Sequence, residues 1–471
     1  MSEISGNTTR ADGTGTPSVA TPGPLRADVA VVGAGLTGVV TALLLADGGA
    51  DVVVLDAGSA RTTTTARSTG KLSVLQGTKL ARLDRHGSEV VGDYLAAGFA
   101  GLGWLRRALE DLNVAVDNRD DLTVATTPDQ ITDIDAVAAA CAHHDLAAQW
   151  EEHPPYPAPT YGAVRLPGQA QVDPLHMLSA LRSRLRSRGV AVHDRARLKQ
   201  VRRFRSGVAL RTTRGTVLAE HVVLATGVPP GRLGGLFLRL EANRSLLTTW
   251  EVPDPDALPT GFADTMSITA GSPVRSLRMA HGLLMVGGEG YAVGREPAPA
   301  GRLAALDEWT RAHLPVGPTR HTWAAQDYSS DTGLPLVGPA VPGDDRVLVA
   351  TGYDKWGLTT GAAAGLALAG RILGEPVPWG RTLEPWARSP EPDARAAVTF
   401  GEQTVGWACA TTRPTGQRAG ARRVSRVCPH LGGVVRWNEQ EESWDCPVHG
   451  SRFAPDGALL EGPATKGLAR R

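Results

Sequence analysis

Two short segments near the C-terminus place cysteine and histidine in pairs: Cys428-Pro-His430-Leu-Gly-Gly and Cys446-Pro-Val-His449-Gly-Ser451. The pattern is C-x-H, fifteen residues, then C-x-x-H. Two thiolates and two imidazoles can hold one tetrahedral zinc ion. They can also hold a [2Fe–2S] cluster in which two His replace two Cys on one iron. Zinc modules use wider C-x-x-C and H-x(3–5)-H pairs, so mixed Cys/His pairs, each followed by glycine, favour the cluster. Cys428 and Cys446 would then hold the inner iron as thiolates. His430 and His449 would hold the outer iron through neutral imidazole, nearer solvent.

A second set of residues has the chemistry of phosphate binding. Gly33-Ala-Gly35-Leu36-Thr37-Gly38 reads as G-x-G-x-x-G. Alone this motif is weak. Here the apolar run Ala27 to Val32 precedes it, a helical pattern follows, and a second apolar run from Asp51 to Leu55 ends in Asp56. Gly33 permits the tight turn, Gly35 lets the backbone approach a pyrophosphate, and Gly38 lets helix and strand pack closely. The helix N-terminus at Leu36 and Thr37 offers N–H groups and a positive dipole end. Asp56 can accept hydrogen bonds from ribose hydroxyls.

These sites need elements to hold them. The first unit reads strand, glycine turn, helix, strand, with Gly48-Gly49 stopping the helix. A helix is expected near 174–188: Asp173 can cap it, Pro174 needs no N–H there, and Gly189 can stop it. Leu175, Leu178, Leu181 and Leu185 mark its buried face. The run His221 to Ala225 reads as a buried strand. Residues 95–165 and 240–325, with scattered Pro and Trp, suggest a second, sheet-based unit. Pro376, Pro378, Pro385, Pro390 and Pro392 mark 374–396 as a linker.

Bulk properties narrow the function classes. The chain has 471 residues, 42% hydrophobic and 21% charged, which implies two or three folding units with real cores. The net charge is +1, so no global field draws it to nucleic acid or an acidic membrane. The arginines between Arg182 and Arg214 are expected on solvent faces. No apolar run approaches the ~20 residues of a spanning helix. Residues 1–25 read as a disordered leader without a secretory h-region. The four cysteines, Cys141, Cys409, Cys428 and Cys446, do not make a disulfide framework and fit a cytoplasmic setting.

Residues 26–372 resemble the D-amino-acid-oxidase/glycine-oxidase superfamily of flavoproteins. The likeness rests on the first βαβ unit, Ala225-Thr226-Gly227, the run Leu284 to Glu289, and Thr351-Gly-Tyr-Asp-Lys-Trp-Gly357-Leu. It implies FAD rather than NAD, and no second G-x-G-x-x-G follows. It also implies that Gly352, Gly357, Leu358 and Thr359 contact the flavin ring, that Leu198 contacts the adenine, that Thr226 and Gly227 lie at the cofactor, and that Thr69, Gly70 and Lys71 run along the flavin. Lys355 and Lys71 are the candidate catalytic cations, because positive charge near the ring's N1–C2=O edge stabilises its anionic reduced form.

The stretch Val434 to Trp437 and Trp444 to Phe453 resembles a bacterial family that fuses such an FAD-dependent oxidoreductase to a C-terminal Rieske [2Fe–2S] domain. Gly462-Pro463-Ala464 is similar to the proline loop that covers Rieske clusters. The implied architecture is α/β: a doubly wound Rossmann-type FAD domain, an interleaved α+β substrate domain and a small all-β Rieske domain. The FAD part would take about 26–95, 166–240 and 325–373. The substrate part would take about 96–165 and 241–324, and the Rieske domain 397–471. Many relatives carry two extra cysteines bridging the cluster loops, where this chain has Gly433 and Val448.

The implied activity is oxidation of a small molecule, an amine or amino-acid-like C–N bond favoured, by hydride transfer to flavin, with the cluster as one-electron relay. An external electron carrier is the expected further partner, with neither nucleic acid nor membrane involved. The competing reading is a redox-sensing or electron-carrier protein without a small substrate, with Arg422, Arg423 and Arg426 docking an acidic carrier. A Rieske oxygenase fits less well, because it needs a separate iron held by two His and a carboxylate. Phe453 lacks the hydroxyl that a Tyr offers a ligand sulfur in high-potential Rieske proteins, while Ser451 keeps its own. Fewer hydrogen bonds to sulfur lower the potential. A potentiometric titration of the cluster should therefore give a value below the top of the range of about −150 to +300 mV.

Overall fold

The computed structural model describes residues 24–387 and 424–469. The leader to residue 23, the segment 388–423 with Cys409, Arg422 and Arg423, and the last two residues lie outside the described residues.

The first sheet is built as its sequence dictates. Strand Leu25–Val32 buries its last four residues and pairs in parallel with Val52–Leu55 on one side and Gly215–Gly227 on the other. Strand order is Leu336–Val341, Asp344–Thr351, Gly215–Gly227, Leu25–Val32, Val52–Leu55, Ala191–His193, with a hairpin, Leu198–Phe204 and Gly207–Thr212, appended to Gly215–Gly227. Helix Leu36–Asp47 packs on it and ends at Gly48. Helix Pro174–Ser187 forms where its cap predicts: Asp173 Oδ1 accepts from the N–H groups of Leu175 and His176, both at 2.9 Å.

The second sheet has the order Thr319–Ser330, Leu240–Glu251, Leu283–Ala292, Arg275–Ala280, Thr265–Thr269, Val116–Val124, Ala163–Val172, Lys71–Leu72. Both interleaved layers and the separate small sheet, Arg436–Asn438, Ser443–Asp445, Arg452–Phe453 and Leu459–Glu461, agree with the architecture implied by sequence.

Three details differ from expectation. Helix Ser88–Asp111 runs into the range assigned to the substrate half, yet it packs in the core of the nucleotide half with Val39, Val40 and Leu43. Gly101 permits this, since a Cβ there would lie 2.4 Å from Thr359 O. The proline-rich stretch is no free linker over its described part. Trp379 and Leu383 are buried, Trp386 Nε1 donates to Pro339 O at 2.9 Å, and Arg239 donates to Pro385 O. Proline composition signalled a chain without regular structure, but two tryptophans and a leucine supply the apolar surface that docks it. Lastly, Arg182 does not face solvent: it is 2% exposed and ion-paired with Asp56 and Asp194.

The small sheet is fastened to the second sheet by charge. Arg244, on Leu240–Glu251, is fully buried and pairs with Glu441 and Glu461. Arg452 pairs with the same two carboxylates and with Asp445. Tyr291 Oη donates to Glu441, and Asn438 Nδ2 donates to Tyr291 Oη. Removing one partner of a buried pair costs about 3 kcal/mol or more, because the other charge stays desolvated. Arg244→Met should therefore weaken docking by about 3 kcal/mol, read as faster hydrogen exchange in strands Arg436–Asn438 and Ser443–Asp445.

Candidate flavin and iron–sulfur sites

Gly33 has φ +104°, and a Cβ there would lie 2.2 Å from Ala225 O. At Gly38 a Cβ would lie 1.9 Å from Gly33 O. No side chain larger than hydrogen fits at either point, so the turn brings the helix start against the sheet. Gly35 is the N-cap of Leu36–Asp47, in extended backbone, and caps nothing with a side chain. The Leu36 N–H is taken by Thr65 Oγ1 at 3.0 Å, a partner not foreseen from sequence. Asp56 is buried; its Oδ2 accepts from Ala34 N and Arg182 and its Oδ1 from Gly58 N. The close turn, the helix start at a glycine N-cap and the fixed acid fit a dinucleotide.

The late glycine segment converges on this turn. Thr37 Oγ1 and Tyr353 Oη are 2.8 Å apart. Thr359, which begins helix Thr359–Leu373, accepts from Ser73 N at 3.2 Å. Gly352 has φ +76° and stands beside Ser330. Thr226 and Gly227 end the long central strand, where Gly227 O accepts from Thr351 Oγ1. Leu198 begins its strand on the same sheet and is buried. Thr69 and Gly70 lead into Lys71, with Gly70 at φ +78° against Val172 O.

Asp354 and Lys355 are both left-handed, at φ 51° and 74°. Each such non-glycine residue costs of order 1–3 kcal/mol and persists where surroundings over-determine it. Here Asp354 is pinned by Lys79 Nζ at 2.9 Å and by Ser329 Oγ at 2.7 Å. The Lys79 and Arg82 charges hold its carboxyl far below the usual range despite burial.

A cavity half-open to solvent lies between this segment and the second sheet. Thr69, Lys71, Lys355 and Leu358 line it from the nucleotide side, and Ser245, Leu247, Ser276 and Asp327 from the sheet. Lys355 is exposed, whereas Lys71 is buried and donates to Ser267 O at 2.5 Å. Burial lowers the Lys71 ammonium to about 8, opposed by the buried Asp121 carboxylate. Asp121 is itself raised by burial. Neither Asp121 nor Asp327 carried a sequence signal, since strand pairing alone brings Asp121 to Lys71 and Asp327 to the cavity.

The four cluster candidates fall into two pairs. The imidazole centroids of His430 and His449 are 4.9 Å apart, and Phe237 stands edge-on to both at 4.9 and 4.8 Å. His430 Nε2 donates to Gly231 O at 2.9 Å, which leaves the buried, unpartnered Nδ1 with its lone pair. Burial holds both imidazoles neutral, His449 at about 3. The Cys446 thiol pulls the Cys428 thiol down to about 7, helped by the N–H groups of His430 and Leu431 and by Ser451 Oγ. Among the described residues no three His, Cys, Asp or Glu side chains converge on one point, as a single ion would need. The donors form a sulfur pair and an imidazole pair, the set a binuclear cluster takes. Gly433 and Val448 touch: a Cβ on Gly433 would lie 2.6 Å from Val448 Cγ2. Arg426 lies over the Trp444 ring and donates to Val435 O, so it is tied to its own domain.

The imidazole pair faces inward, towards the oxidoreductase unit, contrary to the solvent-facing placement expected from sequence. Gly231 N donates to Pro463 O at 2.7 Å, Gln326 Nε2 to Gly450 O at 2.9 Å, and Arg295 Nε to Pro447 O at 3.1 Å.

A doubly wound nucleotide fold with a cavity beside it, joined to a module that pairs two Cys and two His, defines an oxidoreductase that carries both a flavin and an iron–sulfur centre. The sequence profile of the FAD dependent oxidoreductase family (DAO) matches residues 28–371, and that of the Rieske [2Fe-2S] domain matches residues 395–470. The chain belongs to the FAD dependent oxidoreductase family, with a C-terminal Rieske domain; it binds FAD in the first and a [2Fe–2S] cluster in the second. YhfW of Bacillus subtilis (strain 168), which carries a Rieske 2Fe-2S name, is 24% identical over 94% of this chain and 92% of its own. The fold is similar to glycine oxidase from Geobacillus kaustophilus, with TM-score 0.63 and 22% identity over 75% of this chain and 96% of that one. It is also similar to L-amino acid deaminase from Proteus vulgaris, with TM-score 0.60 and 15% identity over 80% and 97%. Over 46 residues the chain is 48% identical to the cytochrome b6-f complex iron-sulfur subunit of Microcystis aeruginosa (strain NIES-843 / IAM M-2473), 10% of this chain and 26% of that one.

The lowered Lys71 has a readable consequence. The folded protein releases this proton as pH rises through about 8, while an unfolded chain keeps it to about 10.4. Stability therefore gains from Lys71 as pH rises between those values, because the unfolded state binds the extra proton. A pH titration of flavin absorbance should show a step near 8 that Lys71→Met removes.

Proposed function

We propose that this protein oxidises a small amine or amino-acid-like molecule at a C–N bond and sends the electrons singly from the flavin site to the Rieske centre. The observation that carries the relay is the docking of His430 Nε2 on Gly231 O, with Phe237 against both imidazoles. The cluster ligands thereby face the oxidoreductase unit. Bound FAD supplies two-electron acceptance, and the bound cluster carries one electron at a time.

The chain's own residues do the rest. Gly33, Gly35, Leu36, Thr37, Gly38 and Asp56 would hold the dinucleotide, and Thr226, Gly227 and Leu198 its far side. Thr69 to Lys71 and Gly352 to Thr359 would bracket the ring. Lys355 would place positive charge at the ring edge, and Lys71 Nζ would take a proton from the reacting amine when neutral. Cys428, His430, Cys446 and His449 would ligate the cluster. Amine oxidation is favoured by the named activities of the glycine oxidase and L-amino acid deaminase with this fold. The concave cavity beside the nucleotide turn favours a small-substrate enzyme over an electron carrier without one.

Stepwise anaerobic photoreduction of the flavin, followed by optical absorbance and cluster EPR together, tests the relay. A reduced Rieske signal that rises as the flavin bleaches is the expected result. A fully bleached flavin beside an oxidised, silent cluster would refute it.

A further inference from the structure

Among the residues that line the cavity, Asp327 is the one carboxylate, set among Arg67, Lys71 and Lys355. It lies on strand Thr319–Ser330, opposite Asn243. Strand alternation turns Ala325 and Asp327 towards the cavity and the intervening Gln326 towards the Rieske loop, where its amide donates to Gly450 O. The Lys355 backbone N–H holds the Asp327 carboxylate. Its Oδ2 is buried and has no hydrogen-bond partner.

Such an oxygen is costly. A buried acceptor without a donor forfeits about 1–3 kcal/mol, more when charged. Burial duly pushes the Asp327 carboxyl up to about 6, with Lys355 opposing. No neighbouring cation closes on Oδ2 among the described residues. Oδ2 is thus open to a donor from a bound molecule, and one with positive charge gains most. Ser245 Oγ, likewise buried and unpartnered, lines the same cavity and offers a second polar anchor.

We propose that Asp327 is the specificity-determining residue of the cavity, and that the substrate enters as a cationic amine whose N–H donates to Asp327 Oδ2. This deepens the amine-oxidising reading and rests on it. A carboxylate in this place disfavours substrates that would present an acid there, and rewards an ammonium by charge as well as by hydrogen bonding.

The test uses the FAD- and cluster-loaded holoprotein under argon with three probes of one shape: n-butylammonium, 1-butanol and butyrate. Perturbation or bleaching of the flavin spectrum reports binding. The expected order has n-butylammonium binding at least roughly tenfold more tightly than 1-butanol. Asp327→Asn should erase that preference and leave the alcohol nearly unchanged. Asp327→Ser is the second variant, and retained flavin absorbance and cluster EPR show that each is folded. A preference for butyrate, an ammonium preference that survives both variants, or no response to n-butylammonium in the native protein would each overturn the proposal. The photoreduction experiment contains no amine, so loss of the relay and loss of this preference are separate results.

Discussion

One buried guanidinium decides how the two halves of this molecule meet. Arg244 has no exposed surface, and its partners Glu441 and Glu461 belong to the other folding unit. A charge removed from water must find its counter-charges at short range, and Glu441 and Glu461 supply them in this pose. Arg452 completes the arrangement from the Rieske side by sharing the same carboxylates. Once that pose is set, the cluster loops fall on Gly231, Phe237 and Gln326, and the imidazole edge turns inward.

The two strands Leu240–Glu251 and Thr319–Ser330 thereby become a partition. Arg244 and Gln326 reach the Rieske module, while their neighbours Ser245, Ala325 and Asp327 line the cavity. The cavity and the cluster loops are separated by one layer of backbone. Period-two alternation makes this possible, because each strand presents alternate residues to opposite faces.

What the sequence made legible was chemistry carried by local spacing. The glycine turn Gly33 to Gly38 and the pairs Cys428/His430 and Cys446/His449 needed only neighbours along the chain, and the fold sets Cys428 beside Cys446 and His430 beside His449. The inward orientation of the imidazoles was not legible, because it depends on Gly231 nearly 200 positions away. Arg182 was misread for a similar reason: an arginine among arginines looks solvated until Asp56 and Asp194 are brought to it. Asp327 and Asp121 gave no signal, since lone acids in strands are ordinary. The stretch 374–387 misled through its prolines, which say how a chain bends and nothing about what its tryptophans touch.

The contact between Gly433 and Val448 replaces a covalent cross-link by van der Waals packing. A cross-link would require an oxidant during maturation and would be open to cleavage by cellular thiols. Packing requires neither. Among the described residues the only sulfurs in these loops are those of Cys428 and Cys446. The hold of one loop on the other is therefore indifferent to the thiol–disulfide poise around it.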